Sequence, residues 1–330
     1  MLDEAIRIGM LTLKNRLVMP PMMTGLGRNG HVTEELLDYY RDRARFSGPG
    51  LIITEHFCIT EAGRASAGQL SIAEDELIPE LRRLTDAIHE GGSLCFAQLN
   101  HAGSAAMPWE GEVPLSASDI GTMPKKGYRP PRPMTVDEIR TTEARFVEAA
   151  MRAFMAGYDG VEIHSAHGYL LDQFYSPLTT KRTDEFGAGC VEDRLRFLLE
   201  TVERVRFAVG MMMPVAVRLG GADYYPGGAT EEDAVEACRL LEQAGADLLD
   251  LSGGMCFYMR PGHSEPGYFS SMTEKIKRIV KTPVLLTGGV QTKAQAEELL
   301  RQEKADLIGV GRAIYKDARW GGEPAAAGGR

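Results

Sequence analysis

Short apolar runs alternate along this chain with longer stretches that are apolar on one face only. The runs that read as strands lie at residues 16–19, 51–54, 94–99, 160–164, 214–218, 248–252, 283–287 and 307–310. Between them apolar residues recur at helical spacing, as at Leu195, Leu198, Leu199, Val202 and Val205. Capping-box patterns open three of these helices, at Thr135/Glu138, Thr230/Asp233 and Thr292/Gln295. Glycines close others just before the next strand, at Gly91-Gly92, Gly157, Gly210 and Gly245. Eight such alternations predict an α/β fold, a single (β/α)8 TIM barrel over residues 1–330. A doubly wound sheet is the second choice, since no G-x-G-x-x-G opens a helix after the first strand.

The rhythm breaks after the third strand. Residues 101–134 hold six of the 17 prolines and little helical pattern. They predict an insertion over the barrel mouth; a lid, a substrate-facing loop and a surface excursion all fit. Residues 321–330 are rich in Gly and Ala and predict a flexible tail.

Composition narrows the class. With 44% hydrophobic and 25% charged residues the chain has the balance of a globular protein with a sizeable core. A net charge of −9 argues against nucleic acid or an anionic membrane as partner. No apolar segment is long enough for a membrane span. The five cysteines include no C-x-x-C pair, which fits reduced thiols, and the acidic start lacks a secretory pattern, so a cytoplasmic location is expected.

Candidate chemistry concentrates where the fourth strand ends, at His164-Ser165-Ala166-His167-Gly168-Tyr169. Two imidazoles suit a carbonyl oxygen that gains negative charge, and a phenol can deliver a proton beside them. Core or metal-binding histidines are the alternative, although no further ligand stands at metal spacing. Strand alternation adds to the cluster: if Ile163, Val217, Ala97 and Leu251 face the helices, then His164, Arg218, Gln98 and Ser252 face inward at the carboxyl ends of their strands. An inward arginine needs an anion or a strong acceptor, either a ligand or an ion pair with Glu162 or Asp250. The last two strands finish in Thr287-Gly288-Gly289 and Gly309-Val310-Gly311-Arg312. Bare backbone N–H groups there, with Arg312, suit a phosphate, and the set of donors around a flat ring suits flavin mononucleotide (FMN).

These residues, taken with the motifs Thr24-Gly25-Leu26, Gln98-Leu99-Asn100-His101-Ala102-Gly103, His167-Gly168-Tyr169-Leu170, Ser176-Pro177-Leu178 and Arg182-Thr183-Asp184-Glu185-Phe186-Gly187, resemble the Old Yellow Enzyme family of FMN-dependent ene-reductases. The likeness runs from Leu13 to Arg312, and is nearest to the amino-terminal barrel of the 2,4-dienoyl-CoA reductase and enoate reductase branch. It implies that Pro20, Pro21, Met22 and Met23 line the flavin and that Gln98 and Arg218 hold its pyrimidine edge. It further implies that Gly288, Gly289, Gly311 and Arg312 hold the phosphate, His164 and His167 the carbonyl of an α,β-unsaturated substrate, and that Tyr169 donates the proton. NADPH or NADH would be the reductant, and a homo-oligomer is expected. Two positions depart from the pattern. Met23 cannot donate a hydrogen bond to the flavin, and His56 stands where a small residue is usual, as an added cofactor-side group. The same scaffold also admits an FMN-dependent dehydrogenase, an amine demethylase, or a non-catalytic flavin subunit. Lacking a cysteine quartet, this chain would receive electrons directly or from a separate protein.

Overall fold

The computed structural model describes residues 1–107, 113–123, 129–187 and 189–321. Eight parallel strands form its centre: β1 (Leu17–Met19), β2 (Leu51–Ile53), β3 (Leu94–Asn100), β4 (Gly160–Ser165), β5 (Val215–Ala222), β6 (Leu248–Gly253), β7 (Val284–Thr287) and β8 (Leu307–Gly309). Each pairs with the next in chain order, and β8 pairs back onto β1 with Ile308 opposite Leu17. The sheet therefore closes on itself as a (β/α)8 TIM barrel. The predicted strand positions hold to within a residue or so, except that β5 runs on through Gly220 and Gly221. These glycines are needed by packing, not by a turn. A Cβ on Gly220 would lie 2.7 Å from the Gly254 Cα and 2.8 Å from the Asp172 carboxylate.

The helices α1 (Glu34–Phe46), α2 (Ile78–Glu90), α3 (Val136–Met155), α4 (Val191–Val209), α5 (Glu231–Gln243), α6 (Ser270–Lys277), α7 (Lys293–Arg301) and α8 (Arg312–Lys316) follow the strands in turn. All three predicted capping boxes form in both directions. The glycines that end α2, α3, α4 and α5 (Gly92, Gly157, Gly210 and Gly245) have φ between 67° and 97°, a region costly for any residue with a Cβ. Among the described residues no helix is long and apolar enough to cross a membrane.

Two apolar layers result. Ala97, Ile163, Val217 and Leu251 point outward and pack with Phe146, Leu198 and Leu241 of the helices. Val18, Leu51, Ile53, Phe96, Ala216, Leu248, Leu285 and Leu307 fill the lower barrel. That inner layer is completed by an amino-terminal hairpin (Ile6–Ile8 with Leu11–Leu13), whose fully buried Ile8 and Leu13 plug the floor. The same alternation puts polar residues above it, at the carboxyl ends of the strands. Within the insertion, Leu115–Ser116 pairs with Arg132–Pro133. Residues 108–112 and 124–128 of the insertion, and 322–330 of the expected tail, lie outside the described residues.

Candidate active site

Strand register builds the site. Arg218 on β5 lies opposite His164 on β4 and Asp250 on β6, while Gln98 on β3 lies opposite Glu162 on β4. Each of these five is buried and shares the inward parity. The register decides the partner of the arginine: Arg218 Nε faces Asp250 Oδ2 at 3.4 Å, and Gln98 Nε2 donates to Glu162 Oε1 at 2.8 Å. The ion pair and the inward donors thus coexist. Burial pushes both carboxyls up, Glu162 further because Asp250 lies near it, while Arg218 draws both down. Glu162 Oε2 and His164 Nδ1 are buried without hydrogen-bond partners, and Arg218 Nε and Asp250 Oδ2 have only their mutual ion pair. Buried polar atoms of this kind call for partners from a ligand.

Above this layer four rings meet. His164 makes edge contacts with His167 and Tyr169, both at 5.2 Å between centroids, and with His56 at 6.1 Å. Burial first, then the charge of Arg218 and the neighbouring imidazoles, holds His164 and His167 well below the usual histidine range. Both are therefore neutral donors at neutral pH. Burial pushes the Tyr169 phenol up to about 12, so it keeps its proton. His167 Nε2 lies 2.8 Å from the hydroxyl of Ser252. Its backbone is left-handed, with φ 59°, followed by Gly168 at φ 70°. A strained non-glycine here persists only because the surroundings fix it.

Those surroundings come from two directions. Asp172, in the short helix Leu170–Tyr175, accepts the Gly168 N–H at 2.7 Å. Gln173 Nε2 and Thr122 Oγ1 each donate to the Gly168 carbonyl at 2.6 Å, and Ser104 Oγ lies 3.1 Å from Thr122 Oγ1. Thr122 and Ser104 belong to the insertion, which is thus no idle surface excursion; it grips the turn that carries His167 and Tyr169. Asp172, Gln173, Thr122, Gln69 and Asn100 were not singled out from the sequence. Asn100 shares the parity of Gln98 and was within reach of the same argument; Asp172 and Gln173 come from the short helix after β4, and Thr122 and Gln69 from loops, which have no period.

The phosphate end is a backbone cradle. Gly288 (φ 156°) and Gly289 (φ 72°) lie against Tyr268, where a Cβ on Gly288 would come within 2.7 Å of its ring. A Cβ on Gly311 would meet Met22 Sδ at 3.0 Å and Pro20 Cγ at 3.4 Å, so the β1 and β8 loops touch. Arg312 is exposed at the start of α8; burial pushes the Tyr268 phenol up, and the charge of Arg312 opposes that, which places it on the Gly288 side. Met23, next to half-buried Pro21, is 57% exposed; its sulfur accepts from Ser66 Oγ. His56 lies against Tyr169 and His164. His263 is an exposed loop residue bonded to Glu265.

The model of the NADH:flavin oxidoreductase / NADH oxidase family matches residues 2–323. The chain is 37% identical over 327 residues to an NADH oxidase from Thermoanaerobacter brockii, a match covering 95% of this chain and 49% of that protein. It is 39% identical over 315 residues to a metal reductase from Desulforamulus reducens, covering 94% and 46%. The chain spans about half the length of these curated relatives. Among solved structures, a 2-naphthoyl-CoA reductase in complex with 2-naphthoyl-CoA superposes with a TM-score of 0.88 at 28% identity, covering 96% of this chain and 51% of that one. An old yellow enzyme homologue from Zymomonas mobilis superposes with a TM-score of 0.81 at 31% identity, covering 95% and 89%. Sequence and fold agree: this chain belongs to the NADH:flavin oxidoreductase / NADH oxidase family, the Old Yellow Enzyme group of FMN-dependent flavoproteins.

Proposed function

We propose that this protein uses NADPH or NADH to reduce the C=C bond of α,β-unsaturated carbonyl compounds. The observation that supports the reading best is the ring cluster, in which two neutral imidazoles and a protonated phenol converge above a layer of unsatisfied polar atoms. The residues fit FMN. Gln98 and Arg218 would hold its ring edge near the unpartnered Glu162 Oε2 and His164 Nδ1, and the backbone of Gly288, Gly289 and Gly311 with Arg312 would hold its phosphate. Pro20, Pro21, Met22 and Met23 would line the ring. Held there, FMN would supply the chemistry of hydride transfer between the nicotinamide and the substrate's β-carbon.

The chain's own residues do the rest. His164 and His167 donate to the carbonyl oxygen and stabilise the charge that grows there; losing one such donor costs about 10²–10³ in rate. Being neutral, each gives one N–H without attracting a counter-anion into the site. Tyr169 protonates the α-carbon, and its raised pKa keeps the acid form available well above neutrality. The test separates the two half-reactions. FMN-loaded protein is titrated anaerobically with NADH or NADPH, then reoxidised with 2-cyclohexenone. Tyr169→Phe is expected to bleach normally yet reoxidise about 10²–10⁴-fold more slowly. Loss of bleaching in that variant refutes the assignment of Tyr169. In the wild type, bleaching without enone turnover points to the dehydrogenase or demethylase chemistry, and no bleaching to a flavin subunit.

A further inference from the structure

We infer that His56 is a positioning residue for Tyr169, clamped in one tautomer by Gln69; the inference rests on the reading of Tyr169 as proton donor. His56 follows β2 and is 7% exposed. Its Nδ1 lies 3.1 Å from Gln69 Nε2 and 3.0 Å from Asn100 Nδ2. The orientation of the Gln69 amide is fixed, because its oxygen accepts the Ala65 N–H at 2.6 Å, which turns its NH2 group toward the imidazole. A ring nitrogen facing that donor must accept, so the ring proton sits on Nε2.

The clamped ring is a platform. It lies 5.4 Å from the Tyr169 ring and is tilted to it by 34°, while the edge of His164 meets Tyr169 at 76°. Tyr169 is thus held between two imidazoles. The titratable groups around it are His56, His164 and, one ring further, His167. A bulky ring where the family pattern has a small residue therefore fixes the direction from which the phenol presents its proton. It also keeps water from the phenol, whose proton affinity rises through burial.

Two variants separate clamp from platform. Gln69→Glu keeps an oxygen for Ala65 but offers Nδ1 an acceptor, drawing a proton onto it. His56→Asn keeps an acceptor in place of Nδ1 but removes the ring. In FMN-loaded wild type, long-range 1H–15N spectra should show the His56 proton on Nε2, with His56→Asn identifying the signals. Tyrosine labelled at 13Cζ, with Tyr169→Phe as reference, should show the Tyr169 midpoint rising in Gln69→Glu, because at the pH where the phenol titrates His56 is neutral and the new carboxylate is the added charge. In His56→Asn the ratio of enone reoxidation to NAD(P)H bleaching should fall about 10- to 100-fold, the effect of a slightly misplaced acid. A wild-type proton on Nδ1, or a Tyr169 titration unmoved in both variants, overturns the inference. If wild type does not reduce enones, the reading of the previous subsection falls; the tautomer and the Tyr169 titration still decide the role of His56.

Discussion

Replacing Thr122 by valine tests whether the insertion holds the catalytic turn. The change is isosteric, so no cavity opens, and what is lost is one hydroxyl. That hydroxyl donates to the Gly168 carbonyl at 2.6 Å and lies 3.2 Å from Gln173 Nε2. The Gly168 carbonyl is not orphaned, since Gln173 Nε2 still donates to it, and the amide keeps Ala102 O as a further acceptor. The Thr122 N–H also keeps its bond to Ser104 Oγ. The cost therefore belongs at the low end for a buried hydrogen bond, about 1 kcal/mol, and not the roughly 3 kcal/mol of a stranded polar group. For a chain of 330 residues that lowers Tm by about 1–2 °C. The kinetic effect should exceed the thermal one, because Gly168 sits between His167 and Tyr169. A small displacement of the turn is expected to slow enone reoxidation about tenfold while bleaching by NAD(P)H stays within about twofold. Stopped-flow measurement of both half-reactions is the assay. Ser118→Ala, which removes an insertion hydroxyl bonded to Thr179 O instead, is the control. Equal loss in both half-reactions, or equal loss in the control, would refute the coupling of insertion to turn.

Three further outcomes follow from the geometry. Glu55 is bonded by the N–H and hydroxyl of Thr24, yet burial pushes it up to about 7. Its contribution to stability is present below about pH 4.5 and is lost as pH rises through about 7, amounting to about 3 kcal/mol; Glu55→Gln should flatten that slope in urea titrations at pH 5 and pH 8. Gly289→Ala must place a Cβ at φ 72° and 2.5 Å from the Glu265 carbonyl, so FMN should be lost on gel filtration and its Kd should rise at least about tenfold. Arg218→Met leaves the Asp250 carboxylate buried without a cation, and a loss of about 3–5 kcal/mol is expected in chemical denaturation even before flavin is added.

Much of this was legible because two periodicities carry it. Alternation along strands places Gln98, His164, Arg218 and Ser252 inward, and the register then brings them together. Helical spacing and capping boxes set the outer ring. The hidden parts are those that no period marks. Gly220 and Gly221 look like a turn but continue β5; the approach of Gly254 and Asp172 explains the first and that of Met272 and Ala234 the second. Thr122 and Gln173 reach Gly168 across 46 and 5 positions in the chain, and Gln69 reaches His56 across 13, so their roles emerge only when loops are packed. The left-handed backbone of His167 is likewise a product of those contacts, not of its own preference.

The hairpin floor has a consequence for traffic. With Ile8 and Leu13 sealing the lower end, the described residues leave the barrel's interior to be reached from its upper end. An electron donor and an electron acceptor that both need the flat face of one ring must then queue at it. Each would have to vacate before the other lands, so initial-velocity plots should run parallel and an excess of either compound should slow the other.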